Sequence, residues 1–170
     1  GAPLPDTCEG DCAAQTLAAD FGGTTRPFER AIYGLSAPSQ TESGEWEIYI
    51  EALHGGFMGC PNEASPTPER TLILSGLVIP TGDRELSEAD GLRATLLDFE
   101  GALEPDEPFV RATAMTITPA ALDVCTACVG QAPPSDEDGF IAFDLSATFP
   151  DGTISGRVYA THCDSMDTSE

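Results

Sequence analysis

The chain has 170 residues and a mass of 17.8 kDa, room for one domain and little more. It carries 29 acidic residues against 7 basic ones, a formal charge of −22, and every basic residue is an arginine: Arg26, Arg30, Arg70, Arg84, Arg93, Arg111 and Arg157. Without lysine there is no Schiff base, Walker A lysine or Ser–Lys dyad, and a polyanion of this strength is repelled by nucleic acid phosphates and anionic membrane surfaces.

The opening Gly-Ala-Pro-Leu-Pro-Asp-Thr reads as the start of a mature secreted segment, and no apolar run is long enough to span a bilayer. Residues 1–20 and 164–170 are expected as tails that fray, the first also as a disulfide-tied segment, with one domain over 21–163. Residues 28–35 form a first strand. In Glu45–Leu53, Trp46, Ile48, Ile50 and Ala52 point to a core while Glu45, Glu47, Tyr49 and Glu51 point to water. Gly55-Gly56 breaks this strand, pairing continuing over 57–60. Three prolines exclude regular structure from 61–69. The apolar run 70–79 is a central strand, and 84–90 is a polar loop with at most one helical turn. Strands follow at 92–100 and 109–118. Residues 119–124 start a short helix with Pro119 at its first position, and 130–138 is a mobile surface loop.

The last hairpin has a readable register. Ile141, Phe143, Leu145, Ala147 and Phe149 alternate on one arm, and Ile154, Gly156, Val158 and Ala160 on the other. Placing Phe149 opposite Ile154 brings the two apolar faces together across a four-residue loop, 150–153, with Gly152 left-handed. The expected fold is all-β: an antiparallel β-sandwich of about eight or nine strands with at most one short helix, a closed barrel being the alternative.

Six cysteines, an even number in a loop-rich chain, read as disulfides formed in an oxidising, extracytoplasmic compartment. Cys60–Cys163 would tie the last strand to a distant part of the sheet, leaving Cys8–Cys12 and Cys125–Cys128 as local pairs. The competing set joins the N-terminal pair to the 125/128 pair. Cys125-Thr-Ala-Cys128 has redox spacing, but its flanks are β and acidic, whereas a reactive thiol needs a helix N-terminus. A zinc site would combine Cys125 and Cys128 with two of Cys60, Cys163, His54 and His162.

His162 falls on the inward series of the last strand, near Ile141 in that register, as a core-edge histidine. His54, beside Gly55-Gly56, is where a ligand could approach closely. Asp136, Asp138 and Asp144 are candidate calcium ligands, the ordinary reading being a solvated acidic loop. Tyr49 and Tyr159 lie on outward faces, Tyr49 between Glu47 and Glu51 and Tyr159 beside Arg157, and with His54 they form a candidate ligand surface.

The segment Gly59-Cys-Pro-Asn-Glu-Ala-Ser-Pro-Thr-Pro-Glu-Arg-Thr-Leu-Ile-Leu-Ser-Gly-Leu77 and the ending Gly156-Arg-Val-Tyr-Ala-Thr-His-Cys163 resemble stretches of uncharacterised secreted lipoproteins of myxobacterial type. The resemblance implies an exported, envelope-attached protein and assigns no activity or residue role. Cys8 lies inside the chain and is not the lipidated cysteine with which such proteins begin.

The expected function is a non-catalytic binding or structural module at the cell envelope, in the periplasm, on the outer membrane or secreted. Its partner would be a glycan or a protein, with no nucleic acid, no transmembrane segment and no cofactor apart from the calcium alternative. The competing readings are a secreted hydrolase with paired carboxylates, marked by a pocket of perturbed acids near His54, and a calcium-stabilised adhesin-like domain.

Overall fold

The computed structural model describes residues 2–56, 59–61, 65–131, 136 and 138–168. Eleven strands follow in order: β1 (Ala18–Phe21), β2 (Thr24–Pro27), β3 (Arg30–Ser36), β4 (Glu47–His54), β5 (Arg70–Val78), β6 (Leu86–Ser87), β7 (Arg93–Asp98), β8 (Phe109–Arg111), β9 (Ala114–Asp123), β10 (Phe140–Phe149) and β11 (Gly152–His162). Among the described residues the only helical elements are short 3₁₀ turns. The all-β expectation holds. The strands form one sheet in the order β6-β9-β10-β11-β3-β4-β5-β7-β8, with β1 and β2 added beside β11.

Alternation explains the curl. Ile48, Ile50 and Ala52 on β4, Leu72 and Leu74 on β5, Leu96 on β7, Ile117 on β9, Phe143 on β10 and Val158 on β11 are all buried in one shared cluster. Strands from both halves of the sheet thus turn one face to the same core, and the sheet wraps around it. Most pairings are antiparallel, as the alternation suggested. The exception joins the halves: Ala160, Thr161 and His162 of β11 pair in parallel with Ala31, Ile32 and Tyr33 of β3.

Four expectations change. Residues 17–21 are not a loose tail, because Leu17, Ala19 and Phe21 are buried and β1 pairs with β11. The run at 109–118 divides into β8 and β9 at Ala112 and Thr113. Residues 119–123, read as a helix start, continue β9. Pro119 sits opposite Phe143 where the register slips between Ala142 and Phe143, and such a bulge accommodates a proline. The final hairpin pairs Phe149 with Gly152 and Ala147 with Ile154, so its loop is Pro150-Asp151. This register differs by two residues from the expected one, a shift that leaves every side chain on its face. Gly152 is required by contact instead of by a left-handed backbone. A Cβ there would lie 2.5 Å from the Asp20 carbonyl oxygen and 2.6 Å from the Phe21 ring. The loop expected over 130–138 falls largely outside the described residues; of the pairing expected over 57–60, residues 57 and 58 lie outside them, and 59 and 60 belong to no strand.

Arg70 opens the central strand β5 and is 2% exposed. Its guanidinium meets Glu100 at 2.5 Å, donates to the Pro27 carbonyl and lies 5.4 Å from the Phe28 ring centre. It therefore ties the corner after β2 to the linker after β7. In that linker the Asp98 carboxylate accepts from the Leu103 and Glu104 amides at 2.6 and 2.7 Å.

The disulfides are Cys8–Cys12, Cys60–Cys163 and Cys125–Cys128. No described cysteine is free, so cysteine ligation of zinc and thiol chemistry both fall away. Three disulfides are the mark of an oxidising, extracytoplasmic environment. Among the described residues no helix is long and apolar enough to cross a membrane.

Cys60 and Cys163 are 103 residues apart and Cys8 and Cys12 only 4. In the chain-entropy model the long loop contributes about 4.7 kcal/mol and the short one about 2 kcal/mol. In urea denaturation, Cys60→Ala/Cys163→Ala is expected to lose about 2–5 kcal/mol, and Cys8→Ala/Cys12→Ala distinctly less. Equal losses would contradict this ranking.

Candidate functional site

The sheet ends at β6, which pairs only with β9, and at β8, which pairs only with β7. The chain passes directly from β8 to β9, so the curl brings these two ends together without closing them. A 3₁₀ turn at Glu88–Asp90 partly fills the gap. It is capped by Ser87, whose hydroxyl accepts from the Ala89 amide, and by Asp90, whose carboxylate accepts from the Ser87 amide. The Glu88 carboxylate accepts from the Met115 amide at 2.8 Å, pinning the turn to β9.

What stays open is a cleft of about 580 Å³ lined by Ser75, Glu88, Leu92, Arg93, Arg111 and Met115, among others. Ala94, Leu96 and Val110 point into the core, so Arg93, Thr95, Phe109 and Arg111 point outward. Thr95 lies directly opposite Arg111, and Leu97 opposite Phe109. Phe109 and Phe99 are 59% and 51% exposed and meet edge to face at 6.1 Å. Arg70, Arg84 and Arg157 bridge to Glu100, Asp90 and Asp144. Arg93 instead donates to the Glu88 and Leu92 carbonyls, and Arg111 has no polar partner among the described residues.

A second, smaller cavity of about 170 Å³ is lined by Tyr33, Asp123, Asp138, Gly139, His162 and the Cys125–Cys128 disulfide, with Leu35. His162 is buried beside Tyr33, ring centres 5.2 Å apart, and pairs with it across the parallel junction. In the observed register its neighbour is thus Tyr33 and not Ile141. Its Nε2 meets the Asp167 carboxylate at 2.8 and 3.0 Å, and its Nδ1 lies 3.3 Å from Asp164 Oδ1. The 3₁₀ turn carrying Asp164 packs on β3 because Gly34 leaves space for it. A Cβ on Gly34 would fall 2.3 Å from the Met166 carbonyl oxygen. Burial, then the nearby Asp123 and Asp167 carboxylates, push the ionisation of the Tyr33 hydroxyl upward.

The residues singled out from sequence do not assemble into one site. His54 ends β4, with Nδ1 2.6 Å from Glu29 and Nε2 3.0 Å from Glu69. This carboxylate clamp lines neither the arginine cleft nor the His162 cavity. Tyr159 stacks on Phe140, ring centres 5.5 Å apart, and packs in the cluster that holds Cys8 and Cys12. Tyr49 is half-buried and hydrogen-bonded to Glu51. Asp144, one of the three calcium candidates, is gripped by Arg157 at 2.9 and 3.0 Å. Asp136 accepts from the Asp164 amide at 2.5 Å, and Asp138 faces the His162 cavity. Among the described residues the one group able to converge on a metal ion is His162, Asp164 and Asp167.

Sequence reasoning passed over Asp164 and Asp167 because they lie in the segment taken as a tail. The available signal was a histidine followed by aspartates two and five residues on, beside the long-range cysteine. Arg93 and Arg111 carried no comparable signal, since only the register of β7 and β8 brings them together.

Glu51 permits a pH test. Burial raises its carboxyl above the usual range, and the bond from Tyr49 only partly opposes this. The native state therefore holds the Glu51 proton more tightly than the unfolded chain does. Its charged form costs stability, a cost that grows as pH rises from the ordinary glutamate value through the raised one. Glu51→Gln is expected to be more stable than the parent at pH 7, with the gap closing by about pH 4 in paired urea melts. A gap that widens on acidification would reverse this assignment.

The chain matches no protein-family model, no curated protein and no solved structure.

Proposed function

We propose that this chain is an exported module of the cell envelope that acts by presenting a surface, and that its ligand is an acidic glycan bound across the outer face of β7 and β8. The resemblance to secreted lipoproteins supports the envelope location. The observation that carries the ligand class is the pair Arg93 and Arg111, two guanidiniums in the large cleft with no carboxylate partner among the described residues. In a chain with 29 acidic residues, two arginines that share one cleft without an acid partner are cationic groups available to a ligand.

A guanidinium recognises a carboxylate by two parallel hydrogen bonds, and an exposed aromatic ring stacks on the apolar face of a sugar. Arg93 and Arg111 supply the first and Phe109 the second, on one side of the same two strands. A uronate-bearing oligosaccharide combines both chemistries. The net negative charge does not forbid it. Screening at physiological salt confines remote repulsion to about 8 Å, while the arginines act at contact.

Calorimetric titration with a short oligogalacturonate and with a neutral oligosaccharide of equal length tests the proposal. The oligogalacturonate is expected to bind, and Arg93→Ala/Arg111→Ala to weaken it by about 2 kcal/mol or more, at least tenfold in affinity. Phe109→Ala should weaken it less. Equal binding of the neutral sugar, or a double variant that binds like the parent, would overturn the reading.

A further inference from the structure

The linker from β7 to β8, residues 99–108, folds over two buried acids that line neither the arginine cleft nor the His162 cavity. Asp98, which ends β7, is 2% exposed, and Glu104 in the linker is 8% exposed. Asp98 Oδ2 accepts from the Leu103 and Glu104 amides, which turns the linker back on itself and sets Leu103 into the core. The Glu104 carboxyl then comes within hydrogen-bonding reach of Asp151, at the tip of the β10–β11 hairpin. The linker thus touches a hairpin from the other half of the sheet.

Two buried oxygens at this contact lack a donor. Glu104 Oε1 and Asp98 Oδ1 have no hydrogen-bond partner among the described residues. The charged groups facing Glu104 are Asp151 from the hairpin, Glu107 from its own linker and Asp98 from β7. All three are acids. An ionised Glu104 would be a buried charge without a donor, among charges of its own sign. Two carboxylates in contact have only acceptors to offer each other, so a hydrogen bond forms between them only when one carries a proton. A proton on Glu104 removes one charge and supplies that donor. Burial, and then the bond to Asp151, raise the Glu104 carboxyl above the usual range. A metal ion would need three such ligands to converge, and among the described residues only His162, Asp164 and Asp167 do so.

We propose that Glu104 and Asp151 share one proton and form a pH-sensitive latch that fastens the β7–β8 linker to the tip of the last hairpin. Loss of the proton leaves two carboxylates opposed and frees the linker, whose ends carry the exposed rings of Phe99 and Phe109. The folded chain holds this proton more tightly than the unfolded one. The latch is therefore closed through the ordinary glutamate range and opens as pH rises past the raised value. This device does not depend on the glycan reading.

The test uses the disulfide-intact chain and two signals: the carboxyl carbon resonance of Glu104, and hydrogen exchange at the Leu103 and Glu104 amides corrected for the intrinsic rate. Glu104 is expected to titrate above the ordinary glutamate range. Protection of both amides should fall at least tenfold between about pH 4 and pH 8. In Glu104→Gln, whose amide can donate to Asp151 at every pH, the fall should be less than about threefold. Asp151→Asn removes the opposing charge, so Glu104 should titrate lower and protection at pH 8 should rise. Asp151 is exposed, so this variant remains informative if Glu104→Gln does not fold. Three results would overturn the proposal. They are a Glu104 that titrates within or below the ordinary range, a loss of protection in Glu104→Gln equal to the parent's, and full protection restored at pH 8 by millimolar Ca²⁺, which would put a cation in the proton's place.

Discussion

Three residue pairs hold the sheet together as one object. The parallel contact of β11 with β3 is the one strand pairing that links β6-β9-β10-β11, with β1 and β2, to β3-β4-β5-β7-β8 among the described residues. Parallel pairing is slightly less stable per residue than antiparallel pairing, and this one joins segments more than a hundred residues apart. Its reinforcement is correspondingly dense. Cys163, one residue beyond β11, donates its amide to the Tyr33 carbonyl and is bonded to Cys60. Asp167 accepts from the Leu35 amide, and Thr168 bridges to Ser36. The C-terminal turn thus adds backbone and side-chain bonds along β3 where β11 stops.

The position of the cleft follows from that junction. A sheet curled round one core and joined at β3–β11 brings its remaining edges, β6 and β8, together on another side. These edge strands are short, two and three residues, which limits the unpaired backbone they present. The capped turn at Glu88–Asp90 takes up part of the gap, and what is left is the cleft lined by Arg93 and Arg111. The same constraint that unites the core therefore fixes where this cleft lies.

Much of this was legible in the sequence where one physical signal dominated. The alternation in β4 fixes its faces, since Ile48, Ile50 and Ala52 have no stable place but the core. Cys60 and Cys163 could be paired because each ends a predicted strand segment. Two-fold periodicity fixes only odd or even registers, and that is why the last hairpin was placed on the correct face but two residues out. Its true register needs β1, whose Phe21 packs on Gly152. Four residues beside a Gly-Gly turn are too few to announce such a strand from pattern alone. Pro119 read as a helix start because the bulge that accommodates it depends on β10. The candidate sites were the least legible, since Arg93 and Arg111 come together only through the register of β7 with β8, and Tyr33 and His162 only through the parallel pairing of β3 with β11.

The extreme charge turns out to be informative because of how few groups oppose it. Seven arginines and two histidines are the only side chains able to carry positive charge among 29 carboxylates. Each histidine lies between two acids, His54 between Glu29 and Glu69, His162 between Asp164 and Asp167. Three arginines are staples: Arg70 joins a corner to a linker, Arg84 braces the capped turn, and Arg157 ties β11 to β10 and to the Cys12 carbonyl. In such a chain a carboxylate is within easy reach of almost any cation, so an arginine cluster without one needs a physical cause. The backbone meets that need for Arg93 in part, by offering two carbonyls, but it does not for Arg111. Both sit where the sheet is open. In this acidic protein, Arg93 and Arg111 lie together in one cleft without an acid partner, and the proposed binding face rests on them.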